Sequence, residues 1–331
     1  MLREGEEMNK VKIAGTGSYV PDNIVTNDDL SRLVDTNDEW IKSRTGIITR
    51  RISQGEDTSQ IATKAALKAM EKAKVLPGDI DFIIVATATP DNFIPSTACM
   101  IQNNIEAINA TCFDVSAACS GFIYAMDIAT QFIKTGRANK VLIIGAETLS
   151  KILDWKDRST CILFGDGAAA AVLKSGDEDG IISTYTGSDG RLGDALTCRA
   201  VSVNNPYVDK EAEKFNPVVK MDGKEIFRFA VKIMQKTINK LLHDSGCSID
   251  EIDCIIPHQA NFRIIEAAAK RLNISTDKFY IDLDKYGNTS AASIGIAFDE
   301  AYRKGIFKHG DTVILVGFGG GLTYGGSLIK I

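Results

Sequence analysis

The chain carries one pattern twice. Asp79-Ile80-Asp81-Phe82-Ile83-Ile84 matches Glu251-Ile252-Asp253-Cys254-Ile255-Ile256, with Ile80 falling on Ile252. The same shift carries Val141-Leu142-Ile143-Ile144-Gly145 onto Val313-Ile314-Leu315-Val316-Gly317. Buried strands are alike in composition, so a single match would mean little. Two matches sharing one offset point to an internally duplicated topology. Ser116-Ala117-Ala118-Cys119 also echoes Ser290-Ala291-Ala292-Ser293 at nearly that spacing. The expected division is two halves, residues 1–184 and 185–331, meeting near residue 185.

Each half reads as α/β. Apolar, β-rich runs fall at Val11–Ala14, Phe82–Ala86, Val141–Gly145, Ala168–Leu173, Asp253–Pro257 and Val313–Gly317, and several are separated by helical periodicity. Ser59–Ala73 predicts an amphipathic helix with Ile61, Ala65, Leu67, Ala69 and Ala73 on its apolar side, and Asp222 is placed to cap a helix running to about His243. Residues 185–222 break the pattern, being polar around Asn204-Asn205-Pro206 and charged over Asp209–Lys214, and predict a binding loop or a solvated insertion.

A chain of 331 residues buries enough surface to hold a core without disulfides or a metal, and 44% hydrophobic with 24% charged residues excludes disorder. No apolar run approaches the length of roughly 18 residues that a membrane span needs. The charged opening Met1–Met8 lacks the apolar stretch of a signal peptide, so a cytoplasmic protein is expected, with Met8 an alternative start. Net charge of −5 argues against nucleic acid as a partner. The seven cysteines have no C-x-x-C spacing and there are only three histidines, which disfavours a zinc site or a disulfide framework.

Four segments carry candidate chemistry. In Phe113-Asp114-Val115-Ser116-Ala117-Ala118-Cys119-Ser120-Gly121-Phe122 a strand ends in small residues and a helix is predicted from Cys119 to about Thr135. A cysteine in a first helical turn meets unpaired N–H groups and the positive dipole end, which lower thiol pKa and suit a nucleophile. A small buried residue at a tight contact is the commoner meaning of such a cysteine. Ile255-Ile256-Pro257-His258-Gln259-Ala260-Asn261 places a histidine at the carboxyl end of a buried strand, where α/β folds bind ligands. Lone histidines are more often structural, and His243 and His309 sit in helix-end or turn contexts. Tyr286-Gly287-Asn288-Thr289-Ser290-Ala291-Ala292 reads first as a turn, but in the duplicated frame Asn288 opens the counterpart of the cysteine loop. Gly317–Gly325 lacks the ending of a phosphate loop and the spacing of a dinucleotide fingerprint, as does Gly15-Thr16-Gly17, where Val20 and Pro21 follow. Its glycines could bring a backbone N–H close to a ligand.

Taken together, these segments resemble the thiolase superfamily of condensing enzymes, and within it β-ketoacyl-[acyl-carrier-protein] synthase III, from about Met8 to Ile331. Asn288 discriminates, because elongating synthases place a histidine in that role and thiolases a second cysteine. The resemblance implies a layered αβαβα sandwich and a decarboxylating Claisen condensation. Cys119 takes an acyl group from acyl-CoA, and His258 and Asn288 stabilise the enolate formed from malonyl carrier protein. The backbone N–H groups of Cys119 and Gly320 form the oxyanion hole. No metal or redox cofactor is implied, coenzyme A entering only as the substrate's thioester. Thr36, Trp40 and Arg44 match the segment that holds the CoA adenine, while Arg158, Gly223, Phe227 and Asn261 match the pantetheine tunnel. Ile94 and Phe318 fall at the acyl pocket. Ile94 stands where many relatives carry a phenylalanine contributed by the partner subunit of a homodimer, so longer or branched primers are expected to fit. Lys220, Lys224, Arg228, Lys232, Lys236 and Lys240 recur every four residues. Arg228 and Arg263, with Lys270 and Arg271, are the implied docking cations for an acidic carrier protein. A relative priming polyketide, quinolone or branched-chain synthesis would keep the same three residues. An oxidoreductase would need the missing fingerprint, and a non-catalytic scaffold would be expected to have lost them.

Overall fold

The structure, a computed structural model, describes residues 8–178, 180–203, 205–208 and 217–331. The first sheet has five strands in the order Lys10–Tyr19, Gly167–Gly176, Lys140–Glu147, Phe82–Ala86, Thr111–Val115. The second has four, and in matching order they run Ile181–Ser188, Thr323–Lys330, Thr312–Gly319, Cys254–Pro257. The duplication extends to register: Phe82 pairs in parallel with Val141, and its counterpart Cys254 pairs in parallel with Val313. Among the described residues the second half lacks the fifth strand. Its place in the sequence is the short helix Leu283–Tyr286, and only an isolated bridge from Ile255 to Phe279 continues the ladder.

Three buried clusters account for the layers. Helices Gly121–Lys134 and Ser293–Arg303 lie between the sheets, where Phe122, Met126, Ile294 and Phe298 pack with Ile84, Ile143, Ile256 and Leu315. Helices Thr58–Ala73 and Thr97–Asn104 cover the outer face of the first sheet, and Gly223–Ser245 and Phe262–Leu272 that of the second. The result is the expected αβαβα sandwich. Local sequence sets the helix starts: Asp57 caps Thr58–Ala73 in a reciprocal pair with Gln60, and Asp222 caps Gly223–Ser245 through the N–H groups of Lys224 and Glu225. On the first helix Leu67 is exposed, contrary to its expected side, and Ala62, Ala66 and Met70 complete the buried face instead.

Two expectations shift. The division at 184/185 falls inside strand Ile181–Ser188, which pairs with Thr323–Lys330, so residues from Ile181 onward belong to the second half. The cysteine and asparagine loops align two residues away from the Ser116/Ser290 match. Both inner helices are preceded by a 3-10 turn, Ala118–Ser120 and Ser290–Ala292, each opening with a left-handed residue (φ 45° at Ala118, 48° at Ser290). Ala118 therefore falls on Ser290 by the same shift that relates the strands, and Ala291 is the counterpart of Cys119. Within the polar region, Leu196–Cys198 pairs with Val219–Met221, while Asp209–Lys214 lies outside the described residues.

The two halves meet where strand ends abut these turns. A Cβ on Gly145 would stand 2.2 Å from the Ala291 carbonyl oxygen, so only glycine lets the first sheet approach the second turn. Gly145→Ala is expected to lower stability by about 1–3 kcal/mol, read as a reduced denaturant midpoint with unchanged slope.

Candidate active site

Strand Thr111–Val115 delivers the cysteine loop. It is tied at its end by Asp114, whose carboxylate accepts from the N–H groups of Thr97 (2.7 Å) and Ala98 (2.8 Å). Thr323 Oγ1 donates to the Ala117 carbonyl at 2.8 Å, fixing the turn from the opposite half. Cys119 sits in the 3-10 turn, ahead of the α-helix that begins at Gly121 rather than inside its first turn. Gly319 presses on it, since a Cβ there would lie 2.6 Å from the Cys119 nitrogen. The electrostatic consequence reverses the expectation of a lowered pKa: burial pushes the Cys119 thiol up to about 12, and Glu147 adds to the rise. At rest Cys119 is a thiol.

His258 follows strand Cys254–Pro257, with its backbone N–H bound to the Val316 carbonyl at 2.8 Å. Its Nδ1 lies 2.7 Å from Ser293 Oγ, and the Phe318 ring meets the imidazole edge-on at 5.2 Å between centroids. Ser293 Oγ also accepts a long bond from the Gln259 N–H (3.5 Å); with the Ser293 proton assigned to Nδ1, the imidazole proton is on Nε2. Burial pulls His258 down to about 3, leaving it neutral at physiological pH. Asn288 is oriented by the same logic. Its Oδ1 accepts from the Ser290 N–H at 2.9 Å, which leaves the Nδ2 protons for the cavity. Backbone bonds to Leu163 and Gly165 hold it in place.

Cys119, His258 and Asn288 line one cavity of about 130 Å³, together with Gly223, Phe227, Asn261, Phe318 and Gly319. It offers one buried thiol and two neutral N–H donors: a site for acyl transfer to sulfur and for stabilising an oxyanion. Asn261 caps helix Phe262–Leu272 and donates to the Arg44 carbonyl at 3.1 Å, joining the cavity mouth to the Trp40 segment. Arg158 is not among the lining residues. Its guanidinium lies 5.3 Å from the Trp40 ring centroid and is bound to the Asp35 carbonyl, which moves it from the tunnel to the Trp40 end. Thr36, beside Asp35, has a buried hydroxyl without a partner, and Arg44 is exposed. Gly320 lies one residue beyond the lining Gly319, within 3.5 Å of Ala118 and Leu196 if given a Cβ. Ile94 is 89% exposed and does not line its own chain's cavity. Arg228, Arg263, Lys270 and Arg271 are exposed, with Arg228 paired to Glu225; Lys236 and Lys240 lie over the rings of Tyr324 and Tyr185.

Sequence reasoning missed Ser293, Ser290 and Glu147. The two serines stood inside a quoted motif, and Glu147 was legible as a lone acid ending a buried strand.

A duplicated αβαβα sandwich with Cys, His and Asn lining one cavity defines a thiolase-type condensing enzyme. Comparisons with known proteins agree and narrow the class. The patterns described as 3-oxoacyl-[acyl-carrier-protein (ACP)] synthase III and its C-terminal part match residues 113–190 and 242–331. A Clostridium kluyveri β-ketoacyl-[acyl-carrier-protein] synthase III is 65% identical, covering 98% of this chain and 100% of its own. The crystal structure of 3-oxoacyl-[acyl-carrier-protein] synthase III from Aquifex aeolicus superimposes with a TM-score of 0.91 at 46% identity over 97% of this chain and 100% of that one. A priming β-ketosynthase of the R1128 polyketide pathway gives 0.92 at 35% identity, over 100% of this chain and 98% of that one. The chain belongs to the β-ketoacyl-[acyl-carrier-protein] synthase III family, and it is a condensing acyltransferase of fatty acid initiation. Among the described residues, no helix is long and apolar enough to cross a membrane.

Because folding keeps His258 uncharged, the unfolded chain gains protons first as pH falls through 6.5 towards the folded value of about 3. This contribution to stability is fully present above pH 6.5 and is lost below it, by ~2 kcal/mol between pH 7.5 and 5. The stability gap between wild type and His258→Ala should narrow by about that amount in denaturant titrations at the two pH values. Ser293→Ala should slow the step that uses His258 as a donor by roughly 10-fold while leaving acylation of Cys119 intact.

Proposed function

We propose that the chain condenses an acyl-CoA primer with malonyl-[acyl-carrier-protein] through an acyl-Cys119 intermediate. The observation that carries this reading is the shared cavity in which the Cys119 thiol faces the oriented donors of His258 and Asn288. Cys119 sulfur attacks the thioester carbon, the C–S bond to coenzyme A breaks, and the oxyanion is held by the N–H groups of Cys119 and Gly320. The malonyl thioester then enters the vacated cavity and loses carbon dioxide. The enolate oxygen accepts from His258 Nε2–H and Asn288 Nδ2–H, and the carbanion carbon attacks acyl-Cys119 to release the 3-oxoacyl product. Two neutral donors suit this step, since they stabilise a forming anion without holding the malonyl carboxylate in its charged ground state.

The pantetheine arm runs past Phe227, Gly223 and Asn261, and the nucleotide end lies at Trp40 with Arg158, Thr36 and Arg44. A planar cation already placed over the Trp40 ring gives an adenine two faces to lie between. Arg228, Arg263, Lys270 and Arg271 present exposed charge around the helices whose residues Phe227 and Ile264 line the cavity, in keeping with docking of an acidic carrier protein. The exposed Phe93–Ile94 pair supports a homodimer in which Ile94 completes the partner's acyl pocket. The reaction so written uses no metal or redox cofactor, and the enzyme works in the cytoplasm.

Mass spectrometry after incubation with acetyl-, butyryl- and isobutyryl-CoA tests this directly. A matching mass increase on Cys119 with each, absent in Cys119→Ala, is expected; no adduct with any of them would overturn the reading, and an adduct with acetyl-CoA alone would overturn the role of Ile94. His258→Ala and Asn288→Ala should still acylate but decarboxylate malonyl carrier protein about 10²–10³ more slowly.

A further inference from the structure

One buried charge has no part in the reaction described above. Arg50 stands on strand Thr49–Arg51, which pairs with Ile24–Thr26, and it has no exposed surface. The terminal N–H groups of its guanidinium all go to neutral oxygens. Nη1 donates to the Val25 carbonyl (3.3 Å) and to Asn27 Oδ1 (2.9 Å), and Nη2 to Asn27 Oδ1 (2.9 Å) and the Ile162 carbonyl (2.8 Å). Burial pulls its pKa down to about 10, which leaves it charged at neutral pH. Buried cations are ordinarily paired with an acid, whereas this one joins three segments of the chain. Asn27 passes the tie onward. A guanidinium can only donate, so Asn27 Oδ1 faces Arg50 and its Nδ2 turns to two acceptors, Asp38 Oδ1 and the Ile47 carbonyl, both at 2.8 Å. Those residues bracket helix Asp38–Thr45, which carries Trp40 and Arg44. On the other side Ile162 precedes Leu163, whose carbonyl accepts the Asn288 N–H at 2.9 Å, while the Gly165 N–H donates to the Asn288 carbonyl at 3.0 Å. Leu163 and Phe164 line the catalytic cavity. Arg50 packs closely beneath this pairing, since a Cβ on Gly165 would lie 3.2 Å from the Arg50 Cβ and one on Gly287 3.3 Å from it.

We propose that Arg50 is a positioning residue whose buried fork sets both the nucleotide end of the site and the Asn288 donor at its centre. One arm works through Asn27, which holds the two ends of the Trp40 helix and so fixes where the Trp40 ring and Arg44 stand. The other arm holds the Ile162 carbonyl and so fixes the Leu163–Gly165 segment on which the Asn288 backbone is hung. Arg158 precedes Ile162 in the same stretch of chain and lies over the Trp40 ring, so the two arms meet again at the nucleotide end. Arg50 touches neither the thioester nor the enolate and acts only through these neighbours. The planar guanidinium matters as much as its charge. Its donors leave in one plane at fixed angles, so neither segment can shift without breaking a bond to the other. A lysine would keep the charge but gather its donors on one nitrogen, and could not serve both ends of the fork with the same geometry.

This inference rests on the proposed reaction with its nucleotide end at Trp40, and the two fail differently. Cys119 is acylated either with acetyl-CoA or with the acetyl thioester of N-acetylcysteamine, which carries the same reacting group and no nucleotide. The acylated enzyme is then given malonyl carrier protein and the release of carbon dioxide is timed. Arg50→Lys should raise the KM for acetyl-CoA about 10-fold and slow decarboxylation by about the same factor, while acylation by the short thioester stays within about twofold of wild type. Asn27→Asp keeps an oxygen for Arg50 but loses both N–H donors, so it should raise the KM for acetyl-CoA without slowing decarboxylation. Asn27→Leu strips the fork of its central acceptor, should move both readouts, and decides the matter if Arg50→Lys does not fold. An unchanged KM or an unchanged decarboxylation rate in Arg50→Lys overturns the proposal, and the same holds for Asn27→Leu. A merely structural role would depress all three readouts together, short-thioester acylation included, and that outcome overturns it as well. No acyl adduct on wild-type Cys119 from either thioester would overturn the reaction itself. A wild-type KM no lower for acetyl-CoA than for the short thioester would overturn the nucleotide placement.

Discussion

The close approach of two 3-10 turns, Ala118–Ser120 and Ser290–Ala292, is the constraint on which the rest of the structure depends. Each turn launches an inner helix, and each is met by the end of a strand from the opposite half. Glu147 reaches the second turn, and Gly319, its counterpart in the duplicated frame, reaches the first. The backbone frame is the same on both sides, but the contact residues differ. Glycine at 319 leaves the space in which the nucleophile's nitrogen and Cβ stand. Glutamate at 147 fills the equivalent space and fixes the turn that carries Asn288. Duplication supplies the frame, and the departure from it supplies the chemistry.

The electrostatics of the site follow from burial. A thiol pushed up and an imidazole pulled down are both uncharged, so they form no ion pair across the cavity. Each polar group is instead aimed by a neighbour that occupies its other hydrogen-bonding atom: Ser293 for His258, and the Ser290 N–H for Asn288. Such aiming costs little in a packed interior, where the alternative is an unmet donor or acceptor worth about 1–3 kcal/mol. The buried carboxylate near the centre, Glu147, is offset by donors from the Thr87–Thr89 segment and from the second turn.

Much of the fold was legible because its signals are local or repeated. The constant shift between the halves marked the matched strands, and Asp222 announced its helix. What was misread, or not anticipated, depended on distant neighbours. The counterpart of strand Thr111–Val115 is a short helix, although nothing in Leu283-Asp284-Lys285-Tyr286 forbids a strand. Strand Ile181–Ser188 opened earlier than the polar composition around it suggested, because its partner is Thr323–Lys330, at the far end of the chain. Leu67 sits among alanines on a helix whose buried face is decided by the strand beneath it.

By itself, the sequence determined the doubled α/β topology, the three reactive residue types and the glycine-lined approach, since these are carried by short motifs and a constant spacing. Only the tertiary structure decided that Cys119 rests as a thiol, that Arg158 stands over Trp40 rather than in the cavity, and that Glu147 meets Ser290 at the second turn. Protonation states and second partners depend on which groups share one buried volume. That sharing is set by packing between segments far apart in the chain.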